Sequence, residues 1–258
     1  VALACVAQLQ TNEAGFLTGR DPEYLHQLRV GLRRLRSCVA LLRKDVPAER
    51  IAALIEELRW LGRALNPARD WDVVLTETLP PLLRAFPEDS GIVALQRHAA
   101  RLRRAGIAAA RGVIRSPRYT GLLLAVGGAF AREDLAALTV GTSELAGPVR
   151  ALAARLIERR ARKLRKLGVA LHEAPPDARH AARIAAKRLR YIVGFFASLY
   201  APKRVKRYVG ALEEIQDTLG LLNDLATAER LLTGDRATLD PRTTGIVTGW
   251  CAATASGA

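Results

Sequence analysis

The chain has 258 residues, half of them hydrophobic, and its 40 Lys and Arg outnumber 25 Asp and Glu to give a net charge of +15. This length suffices for one large domain or for two halves that share a core. No uncharged apolar run approaches about 18 residues, so no membrane span is expected, and the first residues do not show the cationic and apolar pattern of a signal peptide. The charge excess indicates a polyanionic partner, although the solvated helix faces of an Arg-rich protein would give the same total.

The first half of the chain predicts helices separated by proline and glycine. Ala, Leu and Arg dominate the composition, whereas β-branched and aromatic residues are sparse, which favours helix over strand. Apolar periodicity between these breaks predicts helices at about residues 1–15, 23–44, 49–65, 91–115 and 117–127. We expect Asn66-Pro67 to end the third of these, because proline lacks an amide hydrogen and clashes with the preceding turn.

The second half repeats this arrangement after a weaker pattern at residues 133–148, where we place the junction. Further helices are predicted at about 150–171, after Pro175-Pro176, and from Pro202 onward. No segment alternates convincingly as a strand would. The sequence therefore predicts one all-α domain over residues 1–258, made of a first helical half, 1–147, and a second helical half, 148–258.

The helix predicted at residues 23–44 has two distinct faces. One is apolar and consists of Leu28, Leu32, Leu35, Val39 and Leu42. The other is basic, spans an arc of about 80°, and consists of His26, Arg29, Arg33 and Arg36. The apolar face needs a core, and the basic face needs an anion or water.

The same pattern recurs 154 residues later, which indicates an internal duplication. His26 corresponds to His180, and the basic positions pair Arg29 with Arg183, Arg33 with Lys187, Arg34 with Arg188 and Arg36 with Arg190. The register continues without a gap through the next helix, which pairs Arg50 with Arg204 and Asp70 with Asp224. We therefore expect two similar helical halves that each present the same basic helix.

Arginine at this spacing suits a linear polyanion. Its planar guanidinium donates two hydrogen bonds to phosphate oxygens and stays charged, and a protonated histidine donates from both ring nitrogens. Two such ladders that face each other would line one groove. The candidate binding residues are His26, Arg29, Arg33, Arg34, Arg36, Arg50, His180, Arg183, Lys187, Arg188, Arg190 and Arg204.

Other charged residues have simpler interpretations. The arginine stripes of the helices at 91–115 and 150–171 are interpreted as solvated faces, and Asp70 and Asp224 as caps or ion pairs that hold the bundle. The two histidines make a poor metal site, because their arginine neighbours would repel a cation, so no metal or cofactor is expected. The three cysteines are interpreted as small core residues in a reducing compartment, namely Cys5, Cys38 and Cys251.

Four motifs carry a resemblance to a known family. The segments HQLRVGLRRLR and HAARIAAKRLRY resemble the two signature helices of the CHAD family, the conserved histidine α-helical domain. The segments LRWLGRALNPARDWDVVL and LEEIQDTLGLLNDL are similar to the helices that follow them in that family. The resemblance implies two pseudo-symmetric helical bundles around a basic central channel and binding of inorganic polyphosphate. With such a ligand we expect a place in the cytoplasm or on polyphosphate granules.

Two other functions stay open from the sequence. A nucleic-acid-binding protein would use the same charge, but only 5% of residues are aromatic and none interleaves with the ladders as a stacking platform would. A phosphoanhydride hydrolase would need a phosphate-binding loop or clustered carboxylates for Mg²⁺, and the chain shows neither motif. We therefore expect no catalytic residues here, and a fused catalytic domain outside this chain would make it an accessory module.

Overall fold

The computed structural model describes residues 1–42, 46, 48–131, 147–169, 171, 175–234 and 240–256, without the side chains of 48–50, 131, 176 and 256. Within those ranges the chain is helical and has no strand, which confirms the all-α prediction. The α-helices are α1 Ala2–Thr18, α2 Pro22–Val39, α3 Ala48–Val73, α4 Leu79–Ala85, α5 Ser90–Ile114, α6 Pro117–Ala131, α7 Val149–Gly168, α8 Pro176–Phe195, α9 Pro202–Thr233 and α10 Pro241–Ser256. Most of the predicted junction at residues 133–148 lies outside the described residues.

The first signature helix, α2, begins where its sequence directs. The Asp21 side chain accepts a hydrogen bond of 2.8 Å from the Glu23 amide, and Pro22 occupies the first turn, where its missing N–H costs nothing. The predicted apolar face is buried from Leu28 to Val39 and packs against α1. Burial of this face fixes which side of α2 the arginines occupy.

The expected end of the third helix at Asn66-Pro67 is wrong. Helix α3 continues through Pro67 to Val73 and then passes into a π-helical turn over Val74–Thr78. Buried residues flank the proline on both sides, with Leu65 and Ala68 at 0% exposure, so packing outweighs the helix-breaking cost of roughly 3 kcal/mol. Gly106 on α5 permits this packing, because a Cβ there would lie 3.0 Å from the Ala68 amide nitrogen.

Several apolar clusters hold the helices together. The largest joins α1, α2, α3, α5 and α6, and a second joins the end of α3, α4 and the start of α5 to α9 and α10. Two smaller clusters pack α7 and α8 against each other and against α9. The second cluster contains residues from both halves, so the halves share a core. Cys5 and Cys251 are buried free thiols and Cys38 is partly buried, in line with the core interpretation.

Candidate functional site

Helices α2 and α8 lie against each other and expose a basic cavity. The cavity has a volume of about 480 Å³ and is bounded by α2, α3, α7 and α8. None of the described residues that line it is acidic. Its cationic lining, named here the basic cleft, consists of Arg33, Arg36, Arg59, Arg160, Lys187 and Arg188. The two signature helices thus contribute the matching residues Arg33 and Lys187 to one site.

Among the cations of the basic cleft, Lys187 has the most strongly shifted pKa. Burial, followed by repulsion from Arg183 and Arg33, lowers the pKa of its ammonium group to about 7, while Asp224 acts weakly in the opposite direction. The nearby Arg33 Nε is buried and, among the described residues, has no hydrogen-bond partner. Neither group forms an ion pair with a described residue, and no described carboxylate lines the cleft beside them.

Arg36, one turn further along α2, also has no ion-pair partner among the described residues. Its Nη1 lies 3.4 Å from the position that a Cβ on Gly62 would take, so the glycine lets the guanidinium approach α3. Desolvation lowers the pKa of Arg36, and Arg59, Arg188 and Arg63 add to this by repulsion. Burial and repulsion from Arg159 and Arg188 lower the pKa of Arg160 in the same way. Cations of α2, α3, α7 and α8 therefore repel one another across the cavity.

Arg29 and Arg183 have a different environment, because each meets a carboxylate of the following helix. Arg29 Nη2 lies 3.8 Å from Asp70 Oδ1, and Arg183 Nη2 lies 3.3 Å from Asp224 Oδ1. Arg29 also donates to the side-chain oxygen of Asn66, and burial lowers its pKa to about 10. This supports the interpretation of both aspartates as ion-pair partners that hold the bundle.

Each of the two histidines, His26 and His180, is the fifth residue of its signature helix. Neither lines the basic cleft. His180 Nδ1 lies 2.7 Å from Asn223 Oδ1, an amide that fixes the orientation of the ring. His26 is half-buried, and burial together with the charge of Arg69 lowers its pKa. Asn223 and Arg69 occupy matching positions, so the surroundings of the two histidines have diverged.

The remaining predicted residues lie away from the basic cleft. Arg34 Nη1 donates a hydrogen bond of 2.8 Å to Gln8 Oε1 on α1, and Arg190 Nη1 donates one of 2.8 Å to Glu213 Oε1 on α9. Arg204 is exposed in the first turn of α9. The side chain of Arg50 lies outside the described residues. Of the twelve candidates, the structure brings four together in the cleft: Arg33, Arg36, Lys187 and Arg188.

Two cleft residues were missed from the sequence because they lie on other helices. Arg160 is four residues from both Leu156 and Leu164, so the periodicity of α7 places it on the apolar face. A cation on an otherwise apolar face is the sequence signal for this residue. Arg59 precedes Arg63 by one turn beside the apolar stripe of α3, so these two arginines form a second short basic ladder outside the duplicated motif.

The fold and this geometry define a class of protein: an all-helical domain whose two signature helices meet at a basic cleft. The family model of the CHAD domain matches residues 1–233, and the chain belongs to that family. The crystal structure of the CHAD domain from the plant Ricinus communis is similar with a TM-score of 0.84 and 32% identity, covering 100% of this chain and 84% of that one.

PptA from Streptomyces chartreusis shares the fold with a TM-score of 0.68 and 14% identity, over 99% of this chain and 94% of that one. No curated protein matches the chain. In the part of the chain that the structure describes, no helix is both long and apolar enough to cross a membrane, and no cluster of His, Cys, Asp and Glu could hold a metal ion.

Proposed function

We propose that this domain binds inorganic polyphosphate through the basic cleft. The observation that supports the proposal is the grouping of six cations from four helices around one cavity whose described lining contains no carboxylate. Chains of phosphates carry negative charge at a regular spacing and present oxygen acceptors along their whole length. Burial, followed by mutual repulsion, lowers the pKa values of Lys187, Arg36 and Arg160, and a ligand of this kind would supply the negative charge that offsets both.

The arginine geometry supports a phosphate ligand over a simple counter-ion. Guanidinium groups pair with phosphate oxygens through two parallel hydrogen bonds, and each charge-assisted bond contributes roughly 1.5–3 kcal/mol. The buried Arg33 Nε offers a donor for such a bond, because no described residue accepts from it. Several contacts of this strength, reduced by solvent and salt at the exposed Arg36 and Arg188, are sufficient for tight binding.

The proposed role is binding, with chemistry left to other proteins or to domains outside this chain. The cleft lining combines cations with apolar residues, whereas hydrolysis of a phosphoanhydride requires carboxylates that hold Mg²⁺ and position water. Nucleic acid is the weaker ligand in this proposal, because the residues around the cleft offer few aromatic faces on which bases could stack. Recruitment of the domain to polyphosphate granules would follow from the same site.

The test is a titration of the protein with polyphosphates of defined length. A variant with Arg33→Gln, Arg36→Gln, Lys187→Gln and Arg188→Gln should bind at least about a hundredfold more weakly, since four charge-assisted contacts are lost. The control removes the same charge from exposed positions on α5 and at its C-cap: Arg97→Gln, Arg101→Gln, Arg104→Gln and Arg115→Gln.

Arg111 is kept in the control, because it donates hydrogen bonds to the carbonyls of Phe16 and Gly19 and its loss would disturb the fold. The control variant should stay within about threefold of the wild type. Equal losses in the two variants would mean that net charge alone explains binding. Displacement of polyphosphate by an equal phosphate concentration of single- or double-stranded DNA would favour the nucleic-acid function instead.

A further inference from the structure

The duplicated register contains a reversal of charge. The offset of 154 residues that pairs Asp70 with Asp224 also pairs Arg59 with Glu213 and Arg63 with Asp217. Arg59 and Arg63 are exposed on successive turns of α3, and their acidic counterparts are exposed on successive turns of α9. Matching surfaces of the two halves therefore carry opposite charge beside the same kind of basic helix.

This reversal changes the surroundings of two matching arginines, Arg36 on α2 and Arg190 on α8. Arg36 is repelled by Arg59 and Arg63, and no described residue forms an ion pair with it. Arg190, in contrast, donates a hydrogen bond of 2.8 Å to Glu213 and lies 5.7 Å from the centroid of the Tyr191 ring. Arg36 therefore remains available to an anion. Arg190 already has an anionic partner in Glu213, although its buried Nε has no hydrogen-bond partner among the described residues.

A second matching pair also differs in its contacts. Arg188 is exposed and lines the basic cleft, but its counterpart Arg34 donates a hydrogen bond of 2.8 Å to Gln8 on α1. The α3 surface also has Gly62 where α9 has the buried Gln216, whose amide donates to the Leu212 carbonyl. On the α3 side Arg36 lies unpaired beside Gly62, whereas on the α9 side Arg190 is paired with Glu213.

From these contacts we infer that only one of the two matching faces, that of α2 and α3, binds the polyanion. Arg59 and Arg63 are its specificity-determining residues. On the matching face of α8 and α9, the carboxylates of Glu213 and Asp217 prevent binding. This inference rests on the proposed function and assigns the path of the ligand. The chain of phosphates would leave the cleft at Arg36 and follow α3, whereas Glu213 and Asp217 repel it from α9. Glu56 contacts Arg59, but both side chains are exposed, and such a pair contributes only about 0–1 kcal/mol.

The experiment exchanges the residues of the two faces and measures affinity and stoichiometry by calorimetry with a short polyphosphate of defined length. The variant Arg59→Glu with Arg63→Asp gives α3 the residues of α9 and should weaken binding at least about tenfold. Its control, Arg97→Glu with Arg101→Asp, makes the same charge change at the same spacing on exposed positions of α5 and should stay within about threefold.

The reciprocal variant, Glu213→Arg with Asp217→Arg, removes the internal partner of Arg190 and should raise the number of short chains bound per protein from one to two. The matched control Glu88→Arg with Glu214→Arg adds the same charge at exposed positions and should leave the number at one. Equal affinities of the α3 variant and its α5 control would overturn the inference, whether or not the reciprocal variant folds. The proposed function would still stand in that case, provided that the wild-type protein binds polyphosphate and the fourfold cleft variant does not.

Discussion

Arg183 on α8 and Asp224 on α9 form an ion pair of 3.3 Å that recurs 154 residues earlier as Arg29 and Asp70, at 3.8 Å. The two arginine side chains are only 17% and 16% exposed, respectively. Each pair links a signature helix to the helix that follows it, so its first role is to fix the angle between those helices. The duplication therefore preserves a structural contact at the positions where the basic ladders begin.

Replacement of Asp224 by Asn should destabilise the domain. The change leaves the Arg183 guanidinium, whose pKa burial already lowers, without its carboxylate, and loss of a hydrogen bond to a charged group costs about 1–3 kcal/mol. For a domain of this size that corresponds to a fall in Tm of roughly 2–12 °C. Thermal unfolding followed by circular dichroism measures it. Glu214→Gln, at an exposed position of the same helix, should leave Tm unchanged, and an equal fall there would refute the structural role of the pair.

Much of the fold could be predicted from the sequence because its signals are local. The spacing of Leu28, Leu35 and Val39 fixes one buried face of α2, and Asp21 with Pro22 fixes its start. The course of α3 could not be predicted in this way, because the cost of Pro67 is local whereas the packing that offsets it comes from distant helices. Propensity is a weak prior wherever tertiary contacts decide.

The site was predicted only in part for a related reason. A repeat in the sequence shows that Arg33 and Lys187 are equivalent, but it does not show which equivalent residues find partners elsewhere in the fold. Arg34 meets Gln8, and Arg190 meets Glu213, through contacts between helices far apart in the chain. The pseudo-symmetry of the halves stays a prediction, which the matched ion pairs support, and a channel through their centre stays a prediction as well.

Arg111 should stabilise the connection between α1 and α2 without contributing to binding. Its Nε and Nη2 atoms donate hydrogen bonds of 2.9 and 2.6 Å to the carbonyl oxygens of Phe16 and Gly19, at the end of α1. Arg111→Met leaves these acceptors unpaired and should lower Tm by roughly 3–12 °C, while polyphosphate affinity measured well below Tm stays unchanged. Arg104→Met on the exposed side of the same helix is the control. A loss of affinity in the folded Arg111 variant would assign this residue to the binding surface instead.

Binding should weaken steeply with salt if several cations of the cleft contact phosphates together. Each contact that releases a condensed counter-ion from a single-stranded polyanion contributes about −0.7 to the slope of log affinity against log salt concentration. The fourfold glutamine variant of Arg33, Arg36, Lys187 and Arg188 should therefore have a slope shallower by about 2–3. Titrations at several sodium chloride concentrations give both slopes. Parallel lines would show that these four side chains do not contact the ligand.

The acidity of Lys187 should make binding depend on pH near neutrality. Arg183 and Arg190 on its own helix and Arg33 on α2 repel its charge, Asp224 on α9 attracts it, and burial is the largest cause of its pKa of about 7. Because that value lies below the ordinary pKa of lysine, the free protein loses this charge as pH rises through about 7. A bound phosphate stabilises the ammonium form, so binding should take up a proton above that pH.

Affinity should accordingly rise as pH falls from about 8 to about 6, and Lys187→Arg should remove most of this dependence, because a guanidinium stays charged throughout. Protonation of the ligand itself near pH 6 acts equally on both proteins and cancels in the comparison. His26 adds little in this range, since burial and Arg69 lower its pKa and delay its protonation to more acidic conditions. Titrations in buffers of different ionisation enthalpy count the protons taken up. Identical pH profiles of the wild type and Lys187→Arg would contradict the prediction and place Lys187 outside the contacts with phosphate.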